Sequence, residues 1–220
     1  MMIAIDIETI PNPDTFKFLP EPECTDSRIK DPAKIAAHIE AKRVKQRDGA
    51  ALDPMTGRVC CWAGVADETE TVETLEAQTD EAERTLIQSL MSVFGGEETR
   101  LITFNGIGFD LPFIYKRAII LGVDPGSFDA PPLSAWTKRY TADRHYDLMK
   151  IWDGWQSGTF SKLDTVAGVV LGERKIDIDF ATFPALLETK EGRAKIGEYC
   201  LMDTRLTYKL WQRFNGVLFA

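Results

Sequence analysis

A chain of 220 residues, 44% hydrophobic and 27% charged, has the length for one domain with a sizeable core. A formal charge of −8 excludes a protein that coats nucleic acid by bulk attraction, but not one that uses a local basic patch and bridging metals. No run approaches about eighteen apolar residues, and no basic segment precedes an apolar one at the N-terminus, so no membrane span or signal peptide is expected and the expected location is cytoplasmic. Cys24, Cys60, Cys61 and Cys200 form no Cys-x-x-Cys pair, and only His38 and His145 are available beside them. A Cys/His zinc site is therefore not expected, and the thiols suit a reducing cytosol as small buried hydrophobes.

The first predicted strand, residues 2–9, alternates Ile3, Ile5 and Ile7 with Ala4, Asp6 and Glu8. Residues i and i+2 of a strand share a face, so Asp6 and Glu8 point the same way. Such a strand is either a solvated edge or a binder of something cationic. Pro11, Pro13, Pro20 and Pro22 predict a loop over 10–25 that can wall a groove near Glu8. Residues 32–47 predict a helix with Pro32 in its first turn and a thin apolar stripe of Ile35, Ile39 and Val44. Its basic residues, Lys34, Lys42, Arg43, Lys45 and Arg47, suit a solvated face or a basic arm beside a groove.

Residues 58–66 predict a strand, and 69–75 its edge partner across an Asp67-Glu68 turn. Leu86, Ile87, Leu90, Met91 and Phe94 make the stripe of a helix over 80–94, with Asp80, Glu81 and Glu83 favouring its N-terminal turn. A short buried strand is predicted at 100–104. The glycines of Asn105-Gly106-Ile107-Gly108 allow a tight turn into a helix that runs to Leu121 and places Asp110 near its start. Residues 123–145 read as irregular and end in the basic residues Lys138, Arg139 and Arg144. A strand tip is predicted at 145–149, then a helix capped by Ser161 and ended by Gly172. Residues 173–190 read as a polar loop with a short helix. The last long helix covers 191–214, where Tyr199 and Asp203, at i and i+4, share a face.

Three motifs stand in order: Asp6-Ile7-Glu8-Thr9 at the end of the first strand, Asn105-Gly106-Ile107-Gly108-Phe109-Asp110 at a turn, and Tyr199-Cys200-Leu201-Met202-Asp203 on the last long helix. Together they resemble the ribonuclease H-like 3′-5′ exonucleases of the DEDDy class, above all the proofreading exonuclease domain of family B DNA polymerases. His145-Tyr146-Asp147-Leu148 and the helix from Ser161 to Gly172 are similar to secondary features of the same family. The histidine form of the class would need a histidine about five residues before Asp203, where Glu198 stands.

The resemblance implies an α/β fold, a ribonuclease H-like mixed sheet with flanking helices. It implies one domain over 1–220, with a basic insertion around 20–57. It implies that Asp6, Glu8, Asp110 and Asp203 hold two Mg²⁺ or Mn²⁺ ions, and that Tyr199 orients the attacking water. Thr9, Asn105 and Phe109 are the implied substrate-binding candidates. The implied activity is removal of 5′-mononucleotides from single-stranded or frayed DNA 3′ ends. RNA 3′ ends or a non-catalytic nucleic-acid-binding module are the alternatives. A free-standing exonuclease, or one that joins a replication or repair assembly as a separate chain, is expected.

The residues support this chemistry in their own right. Four carboxylates suit hard cations that prefer oxygen ligands. Without ions they would repel one another and raise some pKa values. A tyrosine, with a pKa of about 10, is a poor base and better suited to positioning water by hydrogen bond. Asp110 as a helix-dipole residue, Tyr199 as core packing and Asp203 as a solvated helix residue are the bland alternatives. Asp147 and Asp164 read as structural. Lys34, Lys42, Arg43, Lys45, Lys138, Arg139 and Arg144 are the expected backbone contacts, with Trp136 and Tyr140 as base-stacking candidates.

Overall fold

The structure, a computed structural model, describes residues 1–219. Its five strands are β1 (Met2–Pro11), β2 (Gly57–Ala66), β3 (Thr69–Thr74), β4 (Arg100–Thr103) and β5 (His145–Asp147). They form one sheet in the order β3-β2-β1-β4-β5. β1 pairs antiparallel with β2 and parallel with β4, and β4 pairs parallel with β5. The mixed sheet with helices around it is the ribonuclease H-like α/β architecture. β1 is thus the central strand, which rules out the solvated-edge reading of Asp6 and Glu8. β3 is an edge, as its imperfect alternation predicts.

The helices are α1 (Pro32–Asp48), α2 (Asp80–Phe94), α3 (Asp110–Leu121), α4 (Leu133–Trp136), α5 (Leu148–Trp152), α6 (Leu163–Leu171), α7 (Phe183–Leu186) and α8 (Lys190–Phe214). Nine of the ten residues of β2 are buried, so both its faces are covered. α8 lies across β1, β2 and β3, while α2 and α3 pack on each other and on β2. None of the helices is long and apolar enough to cross a membrane.

Local chemistry explains most boundaries. Asp31 caps α1 by accepting from the N–H groups of Ala33 and Lys34, and Thr79 caps α2 through Ala82. Gly122 and Gly172 end α3 and α6 in left-handed conformations that suit glycine. Four local expectations change. The loop after β1 contains a 3₁₀ turn at Pro13–Phe18, and the irregular stretch after α3 contains another at Pro125–Phe128 and the short α4. β5 passes directly into α5 at Leu148. Ser161 does not cap α6, which starts at Leu163 behind Lys162; the Ser161 hydroxyl donates to Asp153 at 2.6 Å instead.

Glu83 has a larger role than first-turn electrostatics. It is fully buried between two arginines, Arg58 of β2 and Arg117 of α3. Arg117 grips it through Nε at 2.8 Å and Nη2 at 2.6 Å, and the Val59 N–H donates to it at 2.9 Å. Arg117 also donates to the Pro54 carbonyl, which ties in the start of β2. Removing the acid leaves two guanidinium groups buried together. Glu83→Ala is expected to destabilise the fold by about 3–5 kcal/mol in urea unfolding; a loss under about 1 kcal/mol would mean that water reaches both arginines.

Candidate active site

Parallel strands of an α/β sheet commonly place ligands beyond their carboxyl ends. Here β1 carries Asp6 and Glu8 past its pairing with β4, β4 runs into the 104–109 turn, and β5 ends in Asp147. Asp147 holds that turn in place. Its carboxylate accepts from the N–H groups of Asn105 at 3.0 Å, Ile107 at 2.9 Å and Lys150 at 3.2 Å. This is the structural role expected of it. Asn105 adopts φ +73°, which asparagine tolerates better than most residues. Gly106 is required by space, since a Cβ there would sit 2.3 Å from Thr103 Oγ1.

The turn delivers Asp110 as the first residue of α3. Asp110 Oδ1 accepts from the Ile7 N–H at 3.3 Å, which fixes it between the two acids of β1. Tyr199 and Asp203 arrive from α8. Asp6, Glu8, Asp110, Tyr199 and Asp203 line one cleft of about 280 Å³, together with Thr9, Asn105 and Phe109. Phe109 also packs on Phe113, at 5.5 Å between ring centroids, so it is partly core.

The same cleft has walls that the sequence did not suggest: Ala51 and Leu52 after α1, and Phe104, Lys175 and Phe180. Lys175 is the most consequential. Its ammonium pairs with Asp203 Oδ2 and lies 5.2 Å from the centroid of the Tyr199 ring. Tyr199 is further flanked by Phe180 at 5.5 Å and Phe183 at 6.2 Å, both edge-on. Lys175 sits in an unpatterned loop beside Glu173 and Arg174, so no local signal distinguishes it. Asp164 holds this loop by accepting from Arg174 and from the Lys175 N–H at 3.0 Å.

The electrostatics are those of an acid cluster short of positive charge. Burial pushes the Asp6 carboxyl well above its usual range, and Asp110, Glu8 and Asp203 add repulsion. Burial takes Glu8 up to about 8, with Asp203 adding to the rise. Burial takes Asp110 to about 7 against the backbone N–H groups that favour its charge. Asp203 is raised by burial, and Lys175 partly offsets this. Burial would lower Lys175, but Asp203 and Tyr199 outweigh it and hold the ammonium charged.

Asp203 Oδ1 is buried with no hydrogen-bond partner among the described residues, and an oxygen with unshared lone pairs in such a place suits a cation. Ligand atoms of Asp6, Glu8 and Cys200 lie within 4.8 Å of one another, forming a candidate metal-binding cluster. Cys200 is an addition to the sequence reading, because its neighbourhood depends on packing. Burial keeps its thiol protonated, and it donates to the Asp6 carbonyl at 3.5 Å. A hard cation would prefer the oxygens of this set. The acids, in kind and placement, therefore fit divalent ions.

A family model described as predicted 3′-5′ exonucleases related to the exonuclease domain of PolB matches residues 55–218. The chain belongs to this family. It is an exonuclease-type hydrolase domain, and the match includes Asp110, Tyr199 and Asp203 but not β1. DNA polymerase 1 of Sulfolobus acidocaldarius is 29% identical over 199 residues, which cover 87% of this chain and 21% of the polymerase. DNA polymerase 1 of Saccharolobus solfataricus is 32% identical over 126 residues, 54% of this chain and 14% of that one. The family B DNA polymerase of Pyrobaculum calidifontis shares the fold over 97% of this chain and 24% of its own, with a TM-score of 0.61 at 19% identity. The chain thus spans about a fifth of the length of its more fully matched relatives.

Two sets of sequence candidates lie elsewhere. Trp136 is buried, and its indole N–H donates to the Tyr115 hydroxyl at 2.8 Å, so it cannot stack on a base. Lys138 and Arg144 line a separate cavity with Trp136 and His145. Arg144 precedes β5 and its carbonyl accepts from the Leu101 N–H, at the end of the sheet away from Glu8. Tyr140 is exposed and packs on Trp155 at 5.3 Å.

Proposed function

We propose that the chain is a metal-dependent 3′-5′ exonuclease that removes 5′-mononucleotides from single-stranded or frayed DNA 3′ ends. The observation that carries this reading is the meeting of Asp6, Glu8, Asp110 and Asp203 with Tyr199 in one cleft. Asp6, Glu8, Asp110 and Asp203 would hold two Mg²⁺ or Mn²⁺ ions. When bound, such ions supply a water of lowered pKa and charge stabilisation for the scissile phosphate and the leaving 3′ oxygen.

The chain's own residues do the rest. The Tyr199 hydroxyl, whose pKa is raised first by burial, stays protonated and directs the attacking water by hydrogen bond. Lys175 positions this pair by binding Asp203 and lying against the Tyr199 ring. Leu52 and Phe180, both exposed and both on the cleft wall, offer apolar surfaces to the terminal bases. Thr9 and Asn105 line the same cleft as polar contacts for the terminal nucleotide. A replication or repair assembly is the proposed setting.

Digestion of DNA labelled at the 3′ or the 5′ end, with Mg²⁺ or Mn²⁺ and an EDTA control, tests the proposal. A 3′ label should be released as mononucleotide at once, while a 5′-labelled strand shortens stepwise. Internal cuts, or hydrolysis that persists in EDTA, would overturn it. The same assay on RNA decides between sugars, since the 2′-hydroxyl is the group that differs.

A further inference from the structure

The chain leaves the sheet at Pro11, three residues past Glu8, and returns to it at Gly57. The excursion carries α1, a helix of 17 residues with no buried residue. A helix whose thin apolar stripe is at most half-buried gains little from core burial, so packing does not explain it. From Arg28 to Asp48, the end of α1, the sequence has seven cations and three carboxylates, a surplus of four. With −8 for the whole chain, the remaining residues sum to −12. A large positive surplus therefore sits on one exposed helix and its lead-in, against an acidic body.

The residues just after α1 fix its position. α1 ends at Asp48, and Ala51 and Leu52, three and four residues later, wall the carboxylate cleft. The C-terminal end of α1 thus lies a few residues from the cleft wall, and the helix's own carbonyl ends there also favour cations. Part of the charge braces the excursion. Arg43 pairs with Glu21 at 2.9 Å, Arg47 with Glu40 at 2.7 Å, and Lys42 donates to the Glu23 carbonyl at 2.8 Å. Lys34 and Lys45 are exposed and make no ion pair among the described residues.

We propose that α1 is a rail for the sugar-phosphate backbone of the strand upstream of the nucleotide in the cleft. This rests on the nuclease reading of that cleft. An acidic body repels a polyanion, and a cationic surface near the cleft offsets the repulsion where the strand must approach. From Lys34 to Arg47 the helix rises about 20 Å, long enough to lie along several phosphates of a strand. Contacts of this kind position the strand and read no sequence.

The test is fluorescence anisotropy with labelled oligothymidylate, in EDTA, on the full chain and its Lys34→Gln/Lys45→Gln variant. Strands of about fifteen and about four nucleotides are compared across a salt series. For the longer strand the variant should bind about tenfold more weakly, with a log–log salt slope flatter by about 1.4, since each single-strand phosphate contact contributes about 0.7. The shorter strand, which cannot span cleft and rail together, should lose less than about twofold. Equal affinity and slope for the longer strand, in a variant that melts like the parent, would overturn the proposal and leave α1 to a protein partner. The two readings fail separately. A chain that binds as predicted but hydrolyses nothing loses the exonuclease assignment and keeps the rail.

Discussion

Asp6→Asn is expected to lower the hydrolysis rate about a thousandfold and to raise the melting temperature of the metal-free protein. The first effect comes from losing an ion ligand on the central strand. If this removes about 4 kcal/mol of transition-state stabilisation, the rate falls by about 10³. The second comes from the acid cluster. Burial, with repulsion from Asp110, Glu8 and Asp203, makes an ionised Asp6 unfavourable in the folded state. An asparagine there removes one source of repulsion from each neighbour. A gain of about 2 kcal/mol at pH 8 would raise the midpoint by about 4–8 °C for a chain of this size.

The pH dependence has a definite sign. Glu8 rises from 4.5 in the unfolded chain to about 8, and Asp110 from 3.8 to about 7. Between those limits the folded state binds more protons than the unfolded one. Stability of the metal-free protein is therefore greatest below about pH 4 on this account and declines as pH rises towards 8. Mg²⁺ binds the ionised acids, so its stabilising effect should grow over the same window. Calorimetry from pH 5 to pH 8, with and without Mg²⁺, reads both trends. A metal-free melting temperature that rises across this window, with no gain from Asp6→Asn, would show that water already relieves the acids.

The same cluster marks what the sequence could and could not convey. The acids on β1 and the Tyr199/Asp203 pair are legible because strand and helix periods place neighbours on one face. Asp110 is legible because glycines announce its turn. That β1 is central is a matter of strand pairing, which local pattern does not encode. Lys175 and Cys200 join the site through space, one from a loop and one from packing of α8 on β1. Trp136 looks available because it lies in a Pro-rich stretch, yet Phe94 at 5.8 Å and Tyr115 enclose it. Glu83 looks like a surface acid because its partners, Arg58 and Arg117, are 25 and 34 residues away. In each miss the deciding contact is long in sequence and has no period.

Tyr199→Phe and Lys175→Met should separate the two groups that face Asp203. Phenylalanine keeps the ring between Phe180 and Phe183 and loses only the hydroxyl. The melting temperature should stay within about 1 °C, since the packing is unchanged. The rate should fall about 10- to 100-fold, the worth of one well-placed hydrogen bond of about 1.5–3 kcal/mol. Lys175→Met strips Asp203 of its counter-charge. In EDTA this should destabilise the protein by about 3 kcal/mol. With Mg²⁺ much of the loss should return, and calorimetric titration should show tighter metal binding, because the ammonium no longer competes for Asp203. If Lys175 acts by holding the tyrosine, the double variant should be no slower than Tyr199→Phe alone. Groups that act as one unit lose their effect once, and their free energies do not add. Additive losses would instead place the ammonium on the substrate itself, with the phosphate as its partner during the reaction.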